Sequence, residues 1–417
     1  MLGCLVLCAG SLAYAKVEGG VDTLVNFNGK NGAQPQSITE DSDGNFYGTT
    51  LNGGKYSKGT VFEVHQDGEL ETLVHFDGSD GAAPGAGLLL GPDNTLYGTT
   101  TSGGSDNKGT IFKITPKGQF STLVHFTGGN GAQPDSGLFW GPDNNIYGST
   151  KNGGANGQGL VFKISPTGQL TNLVTFDGHN GAHPGSLARD EHGIFYGTAN
   201  TGGPSGKGLV FRLDPNGNLS PLVVFTGPNG AFPVSGINLS KDGSLYGATS
   251  DGGDKDLGLV YKLTLDGKFS ILASFNGDNG AHPDSNLVEW NNGYFYMIRL
   301  WQNMEYKSAA VQWSGNNFCG TTRTGGPLGN GTVFRVGDEG NLVVLVSFTG
   351  AKGISLGATP NSLVPGQDGN LYGTTGFGGH DSQGTIFRLQ LQLWPLPVAG
   401  ASDGANSGAI KLPIVSR

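Results

Sequence analysis

The sequence is poor in charge and in long apolar runs, and each shortage excludes a class of protein. Charged residues make up 14% of the 417 residues, and 33 acidic against 24 basic side chains give a net charge of −9. Because nucleic acids and anionic membrane surfaces are bound through excess Lys and Arg, we expect neither as a partner. Beyond the amino terminus no stretch approaches about 18 consecutive apolar residues, so no membrane span is predicted.

Cysteine is equally scarce, with three in the chain. Cys4 and Cys8 lie in the uncharged apolar segment 1–15, which ends in Ala-Tyr-Ala, a pattern typical of signal-peptidase cleavage. We therefore predict a signal peptide at 1–15 and a secreted or cell-surface protein; the alternative is an apolar tail without a targeting role. Cleavage leaves Cys319 alone, which excludes a disulfide framework. We predict no metal site and no cofactor, because no Cys and His spacing assembles a ligand set.

Glycine, in contrast, is abundant and periodic. The chain has 76 glycines, and a Gly-Gly pair followed after four residues by a third Gly occurs seven times. The copies stand at 53/54/59, 103/104/109, 153/154/159, 202/203/208, 252/253/258, 325/326/331 and 378/379/384. Each follows a Tyr-Gly-Thr-Thr-like segment and precedes an aliphatic residue and an aromatic one. Glycine at a fixed period indicates defined turns rather than disorder.

Each repeat reads as four short strands. In the second copy these are "SGLLLG", "TLYGTT", "GTIFKI" and "FSTLVHF", joined by Asp-Asn, Gly-rich and Pro-Lys-Gly turns. Short β-branched and aromatic segments joined by such turns are typical of hairpins. A four-stranded unit of about fifty residues is a propeller blade. The sequence therefore predicts an all-β fold, a seven-bladed β-propeller of four-stranded antiparallel blades over residues 17–389.

The position of the fourth strands predicts how the ring closes. Their Leu-Val-x-Phe signature first ends at Phe27, before the first repeat, and none follows the seventh. The other copies end at Phe76, Phe126, Phe176, Phe225, Phe275 and Phe348. We predict that the amino-terminal "VDTLVNF" is the outer strand of the last blade, which removes the open sheet edges that would otherwise template aggregation.

Two segments depart from the repeat. Spacing between fourth strands rises to 73 residues from Phe275 to Phe348, which predicts an insertion in blade 6 at about 286–307. An excursion, a rudimentary eighth blade and an artefact of the gene prediction all fit, and the absence of a Gly-Gly loop favours an excursion or an artefact. We expect the tail at 390–417 to be disordered, since its residues beyond Ala399 are mostly small and polar.

The pattern "NGAxPxS…DGxLYGTTxxGGxxxxGTVF…LVxF" resembles the GloVer repeat of the choice-of-anchor tandem repeat proteins, a bacterial family. The resemblance covers roughly residues 20 to 389. It implies an exported, often surface-anchored repeat protein with a propeller-like fold, whose activity is generally unassigned. Residues 390 to 417 have neither the apolar span nor the basic terminus of an anchoring signal.

The long loops are expected to share one face of the ring, where the Asn-Gly-Ala-x-Pro loops lead into the strand nearest the axis. The fixed residues of this loop are explained by a turn in which Gly has a positive φ and Asn caps the backbone. The x position varies, as binding positions on a rigid frame do. Candidate ligand-binding residues are Gln34, Gln133, His183, Phe232 and His282, with Trp301 in the insertion and Trp313 just after it.

Three functional hypotheses follow. The first is an exported, non-catalytic, monomeric propeller that binds a polysaccharide or a surface protein through multivalent contacts of its loop-rich face. The second is a carbohydrate-active lyase or hydrolase with a site at the channel mouth. The aromatic residues of blade 6 favour it, because sugar rings stack on aromatic side chains. No spacing brings two loop carboxylates together, so no catalytic residue is assigned. The third is a purely structural surface repeat.

Overall fold

The computed structural model describes most of the repeat region and little of the two termini. The described residues are 15–17, 21–214, 217–234, 236–290, 295–302, 305–312, 316–353 and 355–390. Within them every regular element is a β-strand, and none of them forms a helix with the length and hydropathy of a membrane span. The predicted signal peptide and the predicted tail, apart from Ala15 and Gln390, lie outside the described residues.

Strands are numbered in chain order, beginning with β1 (Ala15–Val17) and β2 (Val21–Asn26). Blade 1 contains β3 (Ala33–Glu40), β4 (Phe46–Asn52), β5 (Thr60–Val64) and β6 (Leu70–His75). Blade 2 contains β7 (Leu89–Leu90), β8 (Leu96–Thr100), β9 (Thr110–Ile114) and β10 (Phe120–His125). Blade 3 contains β11 (Phe139–Trp140), β12 (Ile146–Thr150), β13 (Leu160–Ile164) and β14 (Leu170–Thr175). Blade 4 contains β15 (Ala182–Arg189), β16 (Phe195–Thr201), β17 (Leu209–Leu213) and β18 (Leu219–Val224).

The remaining blades continue around the ring. Blade 5 contains β19 (Ile237–Leu239), β20 (Ser244–Thr249), β21 (Leu259–Thr264) and β22 (Phe269–Ser274). Blade 6 contains β23 (Ala281–Pro283), β24 (Val288–Glu289), β27 (Asn317–Thr324), β28 (Thr332–Gly337) and β29 (Leu342–Ser347). Blade 7 contains β30 (Ala358–Pro365), β31 (Leu371–Phe377) and β32 (Thr385–Leu389), with β2 as its outer strand. Seven antiparallel sheets around one axis confirm the predicted propeller.

The amino-terminal strand closes the ring as predicted. β2 pairs antiparallel with β32, with Val21 opposite Leu389 and Asn26 opposite Thr385. The Arg388 guanidinium adds a 2.8 Å hydrogen bond to the Asp22 carboxylate. The outer strand of blade 7 and its three inner strands thus come from opposite ends of the repeat region, and β32 is paired on both sides.

The core lies between blades rather than at one centre. The phenylalanine that ends each fourth strand is fully buried and packs on an aromatic ring in the third strand of the following blade. Ring centroids in these seven contacts lie 5.1 to 5.7 Å apart. Phe27, directly after β2, contacts Phe62 of blade 1 in this way, so the closing segment also builds the core between the last blade and the first.

The insertion in blade 6 leaves the ring between β24 and β27. It includes β25 (Phe295–Gln302) and β26 (Glu305–Gln312), which pair with each other and with β1 in a separate three-stranded sheet. For these three strands the structure describes the backbone path only. The hairpin adds no blade, since β27 resumes pairing with β24 where the repeat pattern restarts.

Candidate functional site

The x residue of every Gly-Ala-x-Pro loop has a left-handed backbone, although none of the seven is glycine. Their φ angles lie between 50 and 57°, a conformation that costs a non-glycine residue about 1–2 kcal/mol. In each case the backbone N–H donates to a carbonyl in the Gly-Gly loop of the preceding blade, at 2.8 to 3.0 Å. The bonds run from Gln34 to Gln383, Ala83 to Lys58, Gln133 to Lys108, His183 to Gln158, Phe232 to Lys207, His282 to Leu257 and Thr359 to Asn330.

The proline of this loop packs against the third glycine of the preceding Gly-Gly loop. A Cβ atom added to Gly59 would lie 2.6 Å from Cδ of Pro84, and the equivalent glycine of each other blade meets the next proline at 2.6 to 2.8 Å. A side chain at these glycines would therefore push two blades apart. The repeated motif is the joint between blades, which explains why its spacing recurs in every copy.

The turn interpretation of the fixed residues is confirmed. The glycine of the Gly-Ala-x-Pro loop has φ between 107 and 134° in all seven blades. The Asn or Asp before it caps the turn in blades 1 to 6 by accepting a hydrogen bond from the backbone N–H three residues earlier, at 2.7 to 3.0 Å. The Oδ1 atom of each of these residues is therefore engaged by the turn itself.

The Gly-Ala-x-Pro loops surround a cavity at the axis of about 700 Å³. All seven blades line it, each with its innermost segment. One lining residue from each blade, in order, is Ser37, Leu88, Leu138, Ser186, Ile237, Leu287 and Leu363. We name this cavity and its rim the axial mouth. Because its wall alternates leucine side chains with hydroxyl, amide and carboxyl groups, it can contact a ligand that is both polar and apolar.

The part of the axial mouth formed by blades 6 and 7 contains polar atoms without internal partners. Asp284 Oδ1 and Ser362 Oγ are buried, and among the described residues neither has a hydrogen-bond partner. Burial raises the pKa of Asp284 to about 6, against the opposing effect of Arg323, whose Nε lies 3.8 Å from Asp284 Oδ2. Because buried polar groups are nearly always hydrogen-bonded, these two atoms mark a part of the wall whose hydrogen bonding is incomplete.

A second carboxyl group, from blade 3, lines the same cavity. Asp135 lines the axial mouth, and its Oδ2 lies 3.6 Å from Lys151 Nζ. Burial raises the pKa of Asp135, and Lys151 counteracts this effect. With Arg323 and Lys151 beside the two carboxyl groups, the described charges of the mouth nearly balance, which favours a neutral ligand over a strongly charged one.

Most polar groups of the predicted x residues bind the protein itself. Gln34 lines the axial mouth, and its Oε1 accepts a 2.7 Å hydrogen bond from Asn52; Gln133 has the same relationship with Asn152. His183 Nδ1 lies 2.8 Å from the carbonyl of Lys151, and His282 Nδ1 lies 2.9 Å from that of Ser250.

Phe232 is half-buried in the corresponding loop of blade 5. Gln34 is thus the predicted residue that lines the cavity, and Gln133, His183, Phe232 and His282 are not among its lining residues. Trp301 lies in β25, where only the backbone path is described, and Trp313 lies outside the described residues. Their role in binding stays a prediction.

The x position drew attention because it varies, but the residue after the proline varies as well and faces the axis. The seven residues there are Gln36, Gly85, Asp135, Gly185, Val234, Asp284 and Asn361. Six of them, all except Gly185, line the axial mouth. Aligning the repeats would have identified this position, since it combines variation with a place at the start of the innermost strand.

Comparison with known proteins agrees with the fold. No protein of curated function matches the sequence. Virginiamycin B lyase from Staphylococcus aureus superposes with a TM-score of 0.57 at 13% identity, over 90% of this chain and 100% of that one. The extracellular domain of a hybrid two-component system from B. thetaiotaomicron gives a TM-score of 0.59 at 12% identity, over 90% of this chain and 40% of that one. At such identities the likeness shows the fold alone.

The family match is carried by the repeats themselves. The model of the Gloeobacter/Verrucomicrobia repeat matches residues 10–203 and 183–300. These two segments contain blades 1 to 5 and the beginning of blade 6, which is more than half of the chain. The resemblance seen in the repeat motif is thereby confirmed, and the chain belongs to the Gloeobacter/Verrucomicrobia repeat family.

Proposed function

We propose that this protein is an exported, non-catalytic repeat propeller that binds the end of a neutral glycan in its axial mouth. The observation that carries the proposal is the pair of buried, unpartnered atoms Asp284 Oδ1 and Ser362 Oγ among the described residues of the cavity wall. Once a side-chain rotation turns these atoms toward the cavity, a sugar hydroxyl can donate to the carboxylate and accept from the serine, since each hydroxyl does both.

The rest of the wall suits the same ligand. Leu138, Leu287 and Leu363 give the cavity an apolar surface for the C–H face of a sugar ring, and Gln36 and Asn361 place amide groups beside it. Small-molecule sites commonly combine a mainly apolar lining with a few placed polar groups. A protein partner remains the other occupant of the loop-rich face, and a glycan array with a matched array of surface proteins distinguishes the two.

The test is a glycan array probed with the wild type and with Asp284→Asn and Asp135→Asn. We expect Asp284→Asn to weaken binding about tenfold or more, because hydrogen bonds to a charged group contribute about 1.5–3 kcal/mol. The control is Lys117→Ala, an exposed residue in a turn of blade 2 outside the cavity wall. Equal binding by the wild type and both Asp variants would remove the axial mouth from the site.

The tryptophans of the insertion are tested separately. We expect the double variant Trp301→Ala, Trp313→Ala to bind fewer glycans than the wild type if their rings stack on sugar faces. Unchanged binding assigns these two residues to the protein's own packing, and the axial mouth then carries recognition alone.

Export is supported by the composition of residues 1–15, which is apolar and uncharged. We expect the mature protein to begin at Lys16. Amino-terminal sequencing of the protein collected outside the producing cell tests this directly, and a chain that keeps Met1 would show that the segment is not a cleaved signal.

A carbohydrate-active enzyme is the second candidate, and one observation favours it. The pKa of Asp284, raised to about 6 by burial, leaves part of this carboxyl group protonated near neutral pH, as a general acid requires. A lyase also stands among the proteins of similar fold. Incubation with each bound glycan, followed by mass spectrometry, decides the matter: products that Asp284→Asn fails to release indicate catalysis, and intact glycan indicates binding alone.

A further inference from the structure

Blade 1 differs from the other six blades at one position of its third strand. In each blade the residue opposite the repeat tyrosine, or opposite Cys319 in blade 6, lies on the third strand. It is basic in blades 2 to 7, as Lys113, Lys163, Arg212, Lys262, Arg335 and Arg388. In blade 1 it is Glu63, opposite Tyr47. A positive charge present six times has been replaced by a negative one.

The usual arrangement shows what the basic residue does. In blade 5 the Tyr246 hydroxyl donates a 2.8 Å hydrogen bond to Asp242, and the Lys262 ammonium binds the same carboxylate at 2.9 Å. Blade 3 repeats the contact, with Lys163 Nζ 3.6 Å from Asp143. The base therefore neutralises a turn carboxylate beside the tyrosine. Blade 1 keeps Tyr47, but its hydroxyl donates to Glu63 itself, at 2.9 Å.

Two further ligand-type side chains converge on Glu63. Glu71 on β6 lies directly opposite it, and His65, two positions along, shares the same face of the sheet. One ligand atom from each of Glu63, His65 and Glu71 lies within 4.8 Å of the other two. Equivalent residues in blade 2 are Lys113, Thr115 and Ser121, none of which is a carboxylate or an imidazole.

The geometry of the three side chains approaches that of a metal site. His65 Nδ1 lies 3.8 Å from Glu63 Oε1 and 3.2 Å from Asn45 Oδ1. Ligand atoms bound to Zn²⁺ at about 2.0–2.2 Å in a tetrahedron lie about 3.3–3.6 Å from one another. The Tyr47 hydroxyl, bonded to Glu63, orients that carboxylate in the way that outer partners orient metal ligands.

Electrostatics points in the same direction. Two carboxylates directly opposite each other on adjacent strands repel and destabilise the pairing. Glu63 is held in place with 16% of its side chain exposed, so water screens this repulsion only in part. A cation between Glu63 and Glu71 turns the repulsion into two attractions. His65 adds a nitrogen ligand, which favours a transition metal over Ca²⁺ or Mg²⁺, both of which prefer oxygen ligands.

We propose that Glu63, His65 and Glu71 bind one divalent transition-metal ion of the Zn²⁺ type on blade 1, at the end of the sheet that carries its two tight turns. Asn45 stands beside His65 as a fourth ligand or as its hydrogen-bond partner. The site belongs to the face opposite the Gly-Ala-x-Pro loops, so it is separate from the axial mouth and independent of the glycan proposal.

The test is calorimetric titration of the untagged, chelator-treated full chain with ZnCl₂. We expect saturable binding of one ion per chain and a rise in Tm. The variant Glu63→Lys, His65→Thr, Glu71→Ser copies the residues of blade 2, so it is expected to fold, and it should lose both responses. His65→Thr alone serves as a second variant, since 41% of the His65 side chain is exposed and its loss leaves no cavity in the core.

His192→Ala is the matched control, because 78% of that side chain is exposed and it lies in blade 4. It should bind Zn²⁺ as the wild type does. The proposal would be overturned if the wild type showed no saturable Zn²⁺ binding. It would also be overturned if the triple variant and His65→Thr bound Zn²⁺ as the wild type does, or if His192→Ala lost binding. Ca²⁺ at the same concentration is expected to leave Tm unchanged, and a Ca²⁺ response equal to that of Zn²⁺ would contradict the assigned ion type.

Discussion

The backbone N–H of Gln34 donates a 2.8 Å hydrogen bond to the carbonyl oxygen of Gln383. This bond joins the first blade to the last one, and it has the same form as the bond between every other pair of neighbouring blades. Blades 7 and 1 are therefore joined by the same kind of hydrogen bond as every other pair of neighbouring blades. What distinguishes it is that its two sides come from opposite ends of the repeat region, so its formation requires the whole ring.

Removal of the closing strand should cost the protein its stability. A chain that begins at Asn28 lacks β2 and the fully buried Phe27, and Phe→Ala changes in a core alone cost about 3–5 kcal/mol. We expect a lower Tm and aggregation through the exposed edge of β32, measured by circular dichroism and light scattering. A chain that begins at Val17 is the control and should melt as the full chain does. Equal melting of both chains would contradict closure by β2.

The third glycine of the Gly-Gly loop should tolerate no side chain. At Gly109, with φ of +98°, an added Cβ would lie 2.2 Å from the carbonyl oxygen of Thr100 and 2.8 Å from Pro134. Gly118 in the same blade has φ of +72° and open space around it. We expect Gly118→Ala to cost about 1–2 kcal/mol from backbone strain alone, and Gly109→Ala to cost about 1–3 kcal/mol more from the clash. Urea denaturation compares the two variants. Equal midpoints would contradict the close contact of Gly109 with the next blade.

The number of blades and the closure of the ring could be predicted because both follow from the number and order of the repeated segments. The site could be predicted only in part. The sequence shows that the x residue varies, but it has no glycine there to indicate the left-handed φ. In that conformation the side chains of Gln133 and His183 bind groups of their own blade or of the blade before it. Asp284 and Ser362 belong to successive blades, so no sequence spacing joins them in one cavity wall.

The cluster on blade 1 shows the reverse case. Glu63 and His65 are two residues apart on one strand and Glu71 is opposite, so pattern and hairpin register were sufficient to bring them together. Recurring Cys and His spacing does not reveal this cluster, because its signal is a single departure from the repeat: one acidic residue where six blades have a basic one. In a chain of near-identical repeats, the exceptions carry more functional information than the repeats.

Replacing Tyr261 with phenylalanine should stabilise the protein. Tyr261 is fully buried at a position where the other six blades have phenylalanine, and within the described residues its hydroxyl has no hydrogen-bond partner. An unsatisfied buried hydroxyl costs about 1–3 kcal/mol, so we expect Tyr261→Phe to raise the free energy of unfolding by that order. Tyr246→Phe is the control: its hydroxyl donates to Asp242 at 2.8 Å, and its loss should destabilise. A lower Tm for Tyr261→Phe would show that the hydroxyl is satisfied in solution.

The raised pKa of Asp284 gives stability a definite dependence on pH. The folded protein holds the proton of this carboxyl group up to about pH 6, against a usual value of 3.8, so folding is favoured by proton binding. This contribution is fully present below the pKa of the unfolded chain, and it is lost as pH rises from about 4 through 6. By linkage the loss is on the order of 3 kcal/mol, at about 1.4 kcal/mol per pKa unit.

Asp284→Asn removes this dependence because the amide stays neutral at every pH. We expect the variant to have a higher Tm than the wild type at pH 8 and a similar Tm at pH 4. Arg323→Gln should lower the Tm at pH 8, since the guanidinium that offsets the carboxylate charge is lost. Scanning calorimetry of the three proteins at both pH values measures the differences. A Tm difference between wild type and Asp284→Asn that is the same at pH 4 and pH 8 would contradict a buried, titrating Asp284.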